Sequence, residues 1–184
     1  ASNWVLAMFS NKPKDTPVSL LNNAPLEELL SSVIKLERIQ HNIDVGLLDA
    51  VAVTASSYTS GESVSFYQAV KGIEDWRGPH RKGMRTKLTL KHLMASSAIP
   101  TIFPAVKIDN EYYGDGSIRQ LAPTSTALHL GARKILAIGV SGNRTPKEPN
   151  GSHHLHPSLT QVVGHTLNSA FVDTLDHDLQ FLRH

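Results

Sequence analysis

The first strong periodicity in the chain lies in PLEELLSSVIKLERIQ, residues 25–40. There Leu26, Leu29, Leu30, Val33 and Ile34 share one helical stripe that Leu36 can extend. Pro25 suits a first helical turn, and Glu27 and Glu28 favour its positive end. The period then changes. DAVAVTASSY (49–58) and SVSFYQ (63–68) read as strands around a turn at Ser60-Gly61. GIEDWRGPHRKGMRTK (72–87) is rich in turn residues and poor in apolar ones, so it reads as a loop. TLKHLMASSA (89–98) predicts a helix beginning at Thr89, whose continuation Pro100 and Pro104 forbid. VKI (106–108) and EYY (111–113) flank Asp109-Asn110, a second hairpin signal.

Further on, APTSTALHLGARKILAIGVS (122–141) places Pro123 at a helix start and Gly131 at its C-cap. KILAIGV then reads as a buried strand. A polar stretch at 144–158 leads to a closing helix over 158–183. Its apolar stripe, Leu159, Val162, Val163, Leu167, Phe171, Leu175, Leu179 and Leu182, is explained by packing against a core. Strand, helix and strand in this order predict an α/β sheet in one domain covering 1–184.

Composition narrows the class. A chain of 184 residues, 40% hydrophobic and 18% charged, can bury a real core. The net charge of +2 gives no nucleic-acid signal. With no cysteine, a disulfide framework, a thiolate nucleophile and thiolate-ligated zinc are excluded, while the compartment stays open. No run of about 18 apolar residues suggests a membrane-spanning helix. The opening ASNWVLAMFSNKPKD lacks the basic start of a signal peptide and an initiator Met, so the chain is expected to begin inside a longer protein.

Candidate chemistry concentrates in YYGDGSIRQLAP (112–123). Asp115 stands between Gly114 and Gly116, where a strand should end. Asp-Gly is ordinary turn chemistry, because Gly turns freely and Asp bonds its own backbone. The surroundings add a second reading. KHLMASSAIPTIFPAV followed shortly by YYGDGSIRQLAPTSTALHLGA resembles the second half of the patatin-like phospholipase family. The matching residues are Ala95 to Pro100, Phe103-Pro104, and Asp115-Gly116-Ser117. Ser117 departs from the commoner Gly or Ala at the third motif position.

The resemblance implies a patatin-like three-layer α/β/α sandwich, here the downstream part of the domain. It also implies lipid acyl hydrolysis by a Ser–Asp dyad, with Asp115 as general base, acting on a lipid or acyl ester without a cofactor. The base would take the proton of a serine hydroxyl and return it to the leaving alcohol. The family's glycine-rich oxyanion loop and G-x-S-x-G elbow do not occur in this sequence. The nearest approach, GESVS at 61–65, lacks the closing Gly and opens a predicted strand rather than a strand–turn–helix, so Ser63 is not expected to be the nucleophile. Both missing motifs precede this segment in family order. The chain alone is therefore expected to be inactive, with an upstream half of the same protein as its partner. The alternative from another class is a non-enzymatic module that keeps the scaffold and binds lipid or a protein partner.

Two other features compete. Arg77, Arg81, Lys82, Arg85, Lys87 and Lys91 follow Trp76 without an acidic residue between them. They read as a solvated loop or, more sharply, as a patch facing lipid headgroups with Trp76 at the interface. Localisation stays open, with a cytoplasmic protein in peripheral membrane contact as the expectation. His153, His154 and His156 sit in a Pro/Gly-flanked loop that gives poor control of metal geometry, so no metal site is expected there. Asp173 and His177 share a helix face, where a surface pair is the ordinary explanation.

Overall fold

The structure, a computed structural model, describes residues 19–119 and 123–138. Its centre is a sheet that begins as a hairpin. Strand β1 (Ala50–Ser57) runs antiparallel to β2 (Ser63–Ala69), in register from Ala50↔Ala69 to Ser56↔Ser63. The short strand β3 (Trp76–Gly78) turns back on β4 (Arg81–Arg85), and β4 lies parallel to β2. On the other side β5 (Val106–Ile108) and β6 (Glu111–Asp115) form the second hairpin, and β6 joins β1 antiparallel. The order is β3-β4-β2-β1-β6-β5. Both edge strands have three residues, which limits the unpaired backbone offered to another chain.

Among the described residues four α-helices accompany the sheet: α1 (Ala24–Val33), α2 (Glu37–Asp44), α3 (Leu90–Ser96) and α4 (Ser125–His129). Alternation along β1 and β2 sends Ala55, Val64 and Phe66 to one face, where they join Leu88, Ala95, Ile108 and Tyr113 in the core. Helix α3 covers this face, packing on β1, β5 and β6. Helix α4 meets the opposite face: Thr126 Oγ1 lies 2.8 Å from Ser65 Oγ, and His129 stacks on Trp76. This is the mixed α/β architecture expected from the pattern.

Both hairpins and the Thr89 helix start are where the sequence puts them. Three elements differ. The stripe at 25–40 is two helices, broken where Ile34 adopts an extended conformation. The β-branched pair Val33-Ile34 has weak helix preference, and the break lets Ile39 and Ile43 reach the core while α1 buries nothing. The supposed loop at 72–87 contains β3 and β4. The supposed strand KILAIGV forms no strand over its described part, where Leu136 and Ile138 are 86% and 84% exposed. Its hydrophobicity is real, but β1 already has both neighbours filled, by β2 and β6. The 158–183 helix, the histidine loop and the Asp173–His177 pair lie outside the described residues. No helix among the described residues is long and apolar enough to cross a membrane.

The polar segment at 72–87 is ordered by hydrogen bonds rather than by apolar alternation. Asp75 Oδ1 accepts from Arg85 N (2.6 Å) and from Tyr67 Oη (2.9 Å). The Arg85 guanidinium donates to the carbonyls of Ala69 (2.7 Å), Val70 (3.1 Å) and Ile73, and sits over the Tyr67 ring. Trp76 lies flat across Gly83, where a Cβ would come within 2.3 Å of the indole, and continues as a stack on Tyr67.

Two stability predictions follow from this core. Phe66 packs edge-on against His92 and Tyr113, with centroids 4.6 and 5.2 Å away. Phe66→Ala is expected to lower unfolding free energy by about 3–5 kcal/mol in denaturant titration. His92 is 5% exposed, and its Nδ1 accepts from Thr89 N at 3.0 Å, closing the start of α3. Burial holds its pKa below the ordinary value, against the opposing charge of Asp109. The unfolded chain therefore binds the proton first, and stability falls as pH drops below about 6.5 through the lower folded value. His92→Gln, which keeps an acceptor at this position, should flatten that loss between neutral and acidic pH in thermal melts.

Candidate active site

Asp115 is the last residue of β6. Its backbone is fixed from two directions: it pairs with Ala55 of β1, and its N–H donates to the Ala98 carbonyl just beyond α3 at 3.0 Å. The side chain is half-buried, and Oδ1 accepts from Ser117 N (2.9 Å) and Ser117 Oγ (2.7 Å). These bonds cap the one-turn 3₁₀ helix Gly116–Ile118. Oδ2 has no hydrogen-bond partner among the described residues. One oxygen is thus held by the turn and the other is left to act as an acceptor.

The flanking glycines serve close packing. Neither has a positive φ. A Cβ on Gly114 would meet the Tyr58 hydroxyl at 2.4 Å, and one on Gly116 would meet the Thr54 carbonyl oxygen at 2.1 Å. The second clash is with backbone and has no soft relief. The expectation of free turning is therefore replaced by close packing at the β1–β6 seam, strict at Gly116. Ser117, the departure from the motif, is itself a ligand of the carboxylate.

The structure also brings up residues that sequence reading missed. Tyr58 lies over Gly114, and burial followed by the Asp115 charge raises its hydroxyl pKa. Beside it, Ser57 Oγ donates to Glu111 Oε2 (2.7 Å) and accepts from Thr59 N and Ser60 N (3.2 and 3.0 Å). Tyr113 Oη also donates to Glu111 Oε2 at 3.2 Å, and burial, then Glu111, drives its pKa far up. Ser57 is buried and its lone pairs are taken by backbone donors, so it anchors the β1–β2 turn. Only the third dimension joins these residues, since Ser57 and Glu111 stand 54 positions apart.

Ser63 is the first residue of β2 and is buried, with no strand–turn–helix around it. Of the basic run, Arg77 and Lys82 share Glu62 at 3.2 and 3.3 Å, and Arg85 is held by carbonyls. Trp76 is stacked between Tyr67 and His129. These side chains build the sheet; Lys87 and Lys91 are exposed. Asp115 lines neither a cavity of about 70 Å³ by Ser63 and Arg81 nor one of about 400 Å³ between α2 and the ends of β2 and β4. No cluster of three or more metal-ligating side chains occurs among the described residues.

The architecture is thus a mixed α/β protein with a glycine-flanked carboxylate at a strand end. The family model for the patatin-like phospholipase, Patatin, matches residues 3–128, which include the whole sheet and Asp115. The chain belongs to the patatin-like phospholipase family. No curated protein and no solved structure matches it.

The seam has a spectroscopic signature. Asp115→Asn removes the charge that helps raise Tyr58 while leaving burial in place. The Tyr58 phenol should titrate at lower pH in the variant, though still above its ordinary value of about 10, in ultraviolet absorbance against a Tyr58→Phe reference.

Proposed function

We propose that this chain forms the acid-bearing part of a lipid acyl hydrolase, with Asp115 as the base of a Ser–Asp dyad. The observation that carries the reading is the half-held carboxylate: Oδ1 is fixed by Ser117, and Oδ2, at a strand end, has no hydrogen-bond partner among the described residues. Family membership supplies the class of reaction. The serine comes from outside this sequence, in the upstream half of the same protein, because no G-x-S-x-G occurs here.

In this mechanism Oδ2 accepts the serine proton as the hydroxyl oxygen attacks the ester carbonyl carbon. A tetrahedral oxyanion forms, stabilised by donors also supplied from outside this sequence. Its collapse breaks the bond to the leaving alcohol, which takes the proton back from Asp115. Water, deprotonated by the same carboxylate, then attacks the acyl-enzyme carbonyl; the bond to the serine oxygen breaks, Asp115 returns the proton to that oxygen, and the carboxylic acid leaves. Holding Oδ1 restricts the carboxylate to one rotamer, which favours proton transfer along one line. Without nucleophile and oxyanion donors, this chain by itself is inactive in the proposed scheme.

The test uses the intact protein. A serine-directed fluorophosphonate should label it, and Asp115→Asn should reduce ester turnover by about 100-fold or more. An Asn oxygen can still accept from Ser117, so circular dichroism and melting should stay close to wild type. Ordinary turnover by a folded Asp115→Asn protein would end the assignment.

A further inference from the structure

The cavity of about 70 Å³ lies between β2, the β3–β4 hairpin and α4. Ser63 and Ser65 alternate with Val64, so they face away from the core that Val64 shares with Ala55. Asp115 pairs with Ala55, which places the carboxylate and this cavity on opposite faces of the sheet. The two sites can therefore be separated by experiment.

The lining is cationic and rich in hydroxyls: Arg81, Lys82, Arg119, Ser63, Ser65 and Thr126, with no carboxylate among the lining residues. Several of these groups are already engaged. Ser65 Oγ lies within hydrogen-bond distance of Thr54 Oγ1 and Thr126 Oγ1, and Lys82 faces Glu62. Three are not. Ser63 lines the cavity, and its hydroxyl makes no hydrogen bond among the described residues. Arg81 Nε is buried without an acceptor. Arg119 lies against Gly61 and makes no ion pair among the described residues. Nearby Glu62 is a single carboxylate shared by Arg77 and Lys82, so it leaves the charge of Arg81 and Arg119 uncompensated.

A buried donor without an acceptor, such as Arg81 Nε, is destabilising. Water could accept from Ser63 and Arg81, but it would leave two guanidinium charges facing one small space. A tetrahedral oxyanion meets both demands, because it presents several acceptors, carries negative charge and matches the guanidinium fork. The cavity has room for a group of that size. We propose that it binds a phosphate group, with Arg81 and Arg119 as charged donors and Ser63 Oγ as a neutral one. The group is either free phosphate or the phosphodiester of a lipid headgroup, which present the same acceptors.

The experiment is calorimetric titration of the full chain with inorganic phosphate, and separately with glycerophosphocholine, at constant ionic strength. One saturable site is expected for at least one probe. Arg119 is exposed at its surface, so Arg119→Ala should fold normally and weaken binding by about tenfold, the scale of one charge-assisted contact. Ser63→Ala should weaken it less. Arg77→Ala, which removes an exposed cation outside the cavity, should change it by less than about twofold. A preference for the diester assigns the site to a lipid headgroup, and a preference for inorganic phosphate assigns it to the free anion. Three results overturn the proposal: no saturable binding of either probe up to about 10 mM, unchanged binding by Arg119→Ala, or equal weakening by Arg77→Ala and Arg119→Ala.

Discussion

Backbone must approach backbone where β6 meets β1, and the absence of two side chains makes that approach possible. Gly116 fills a position where a single carbon would overlap the Thr54 carbonyl, and Gly114 passes beneath Tyr58. Closing this seam sets the pairing of Ala55 with Asp115 and brings the Asp115 N–H to the Ala98 carbonyl. The end of α3, the centre of the sheet and the candidate carboxylate are thereby tied to one contact. A larger residue at 116 would have to push β6 outward, and all three would move with it. Position of the acid is thus a consequence of packing, and its orientation is a consequence of Ser117.

The two faces of the sheet divide the chemistry. One face is apolar, closed by α3 and by the Phe66–His92–Tyr113 ring contacts. The other carries a chain of hydroxyls, Thr54, Ser65 and Thr126, and the stack Tyr67–Trp76–His129. Cations hold the hairpin in place: on that second side Arg85 gathers three carbonyls at the end of β2, and on the other Glu62 draws Arg77 and Lys82 together. Their positions in β3 and β4 follow from these contacts, since the hairpin has almost no apolar alternation of its own.

Legibility followed the source of order in each segment. The two hairpins around Ser60-Gly61 and Asp109-Asn110, and the helix from Thr89, were readable because turn residues and periodicity are local properties. Gly131, at φ +92 beyond α4, was readable for the same reason. The strands at 76–85 were not, because Asp75, Arg85 and Tyr67 order them through bonds across the sheet. KILAIGV misled in the opposite direction: a strand needs a neighbour as well as the right residues, and its described part has none.

The candidate site divides in the same way. Gly-Asp-Gly at a strand end, and with it the family, was already visible in one dimension, since a short motif and its order along the chain survive without coordinates. Tertiary structure alone decided why Gly116 is required, that Gly114 packs beneath Tyr58, and that Ser117 holds one carboxylate oxygen. It also decided that Ser63, Arg81 and Arg119, distant in sequence, line one cavity. Local sequence encodes backbone preference, whereas steric contact and the pairing of buried polar groups depend on which distant residues the fold brings together.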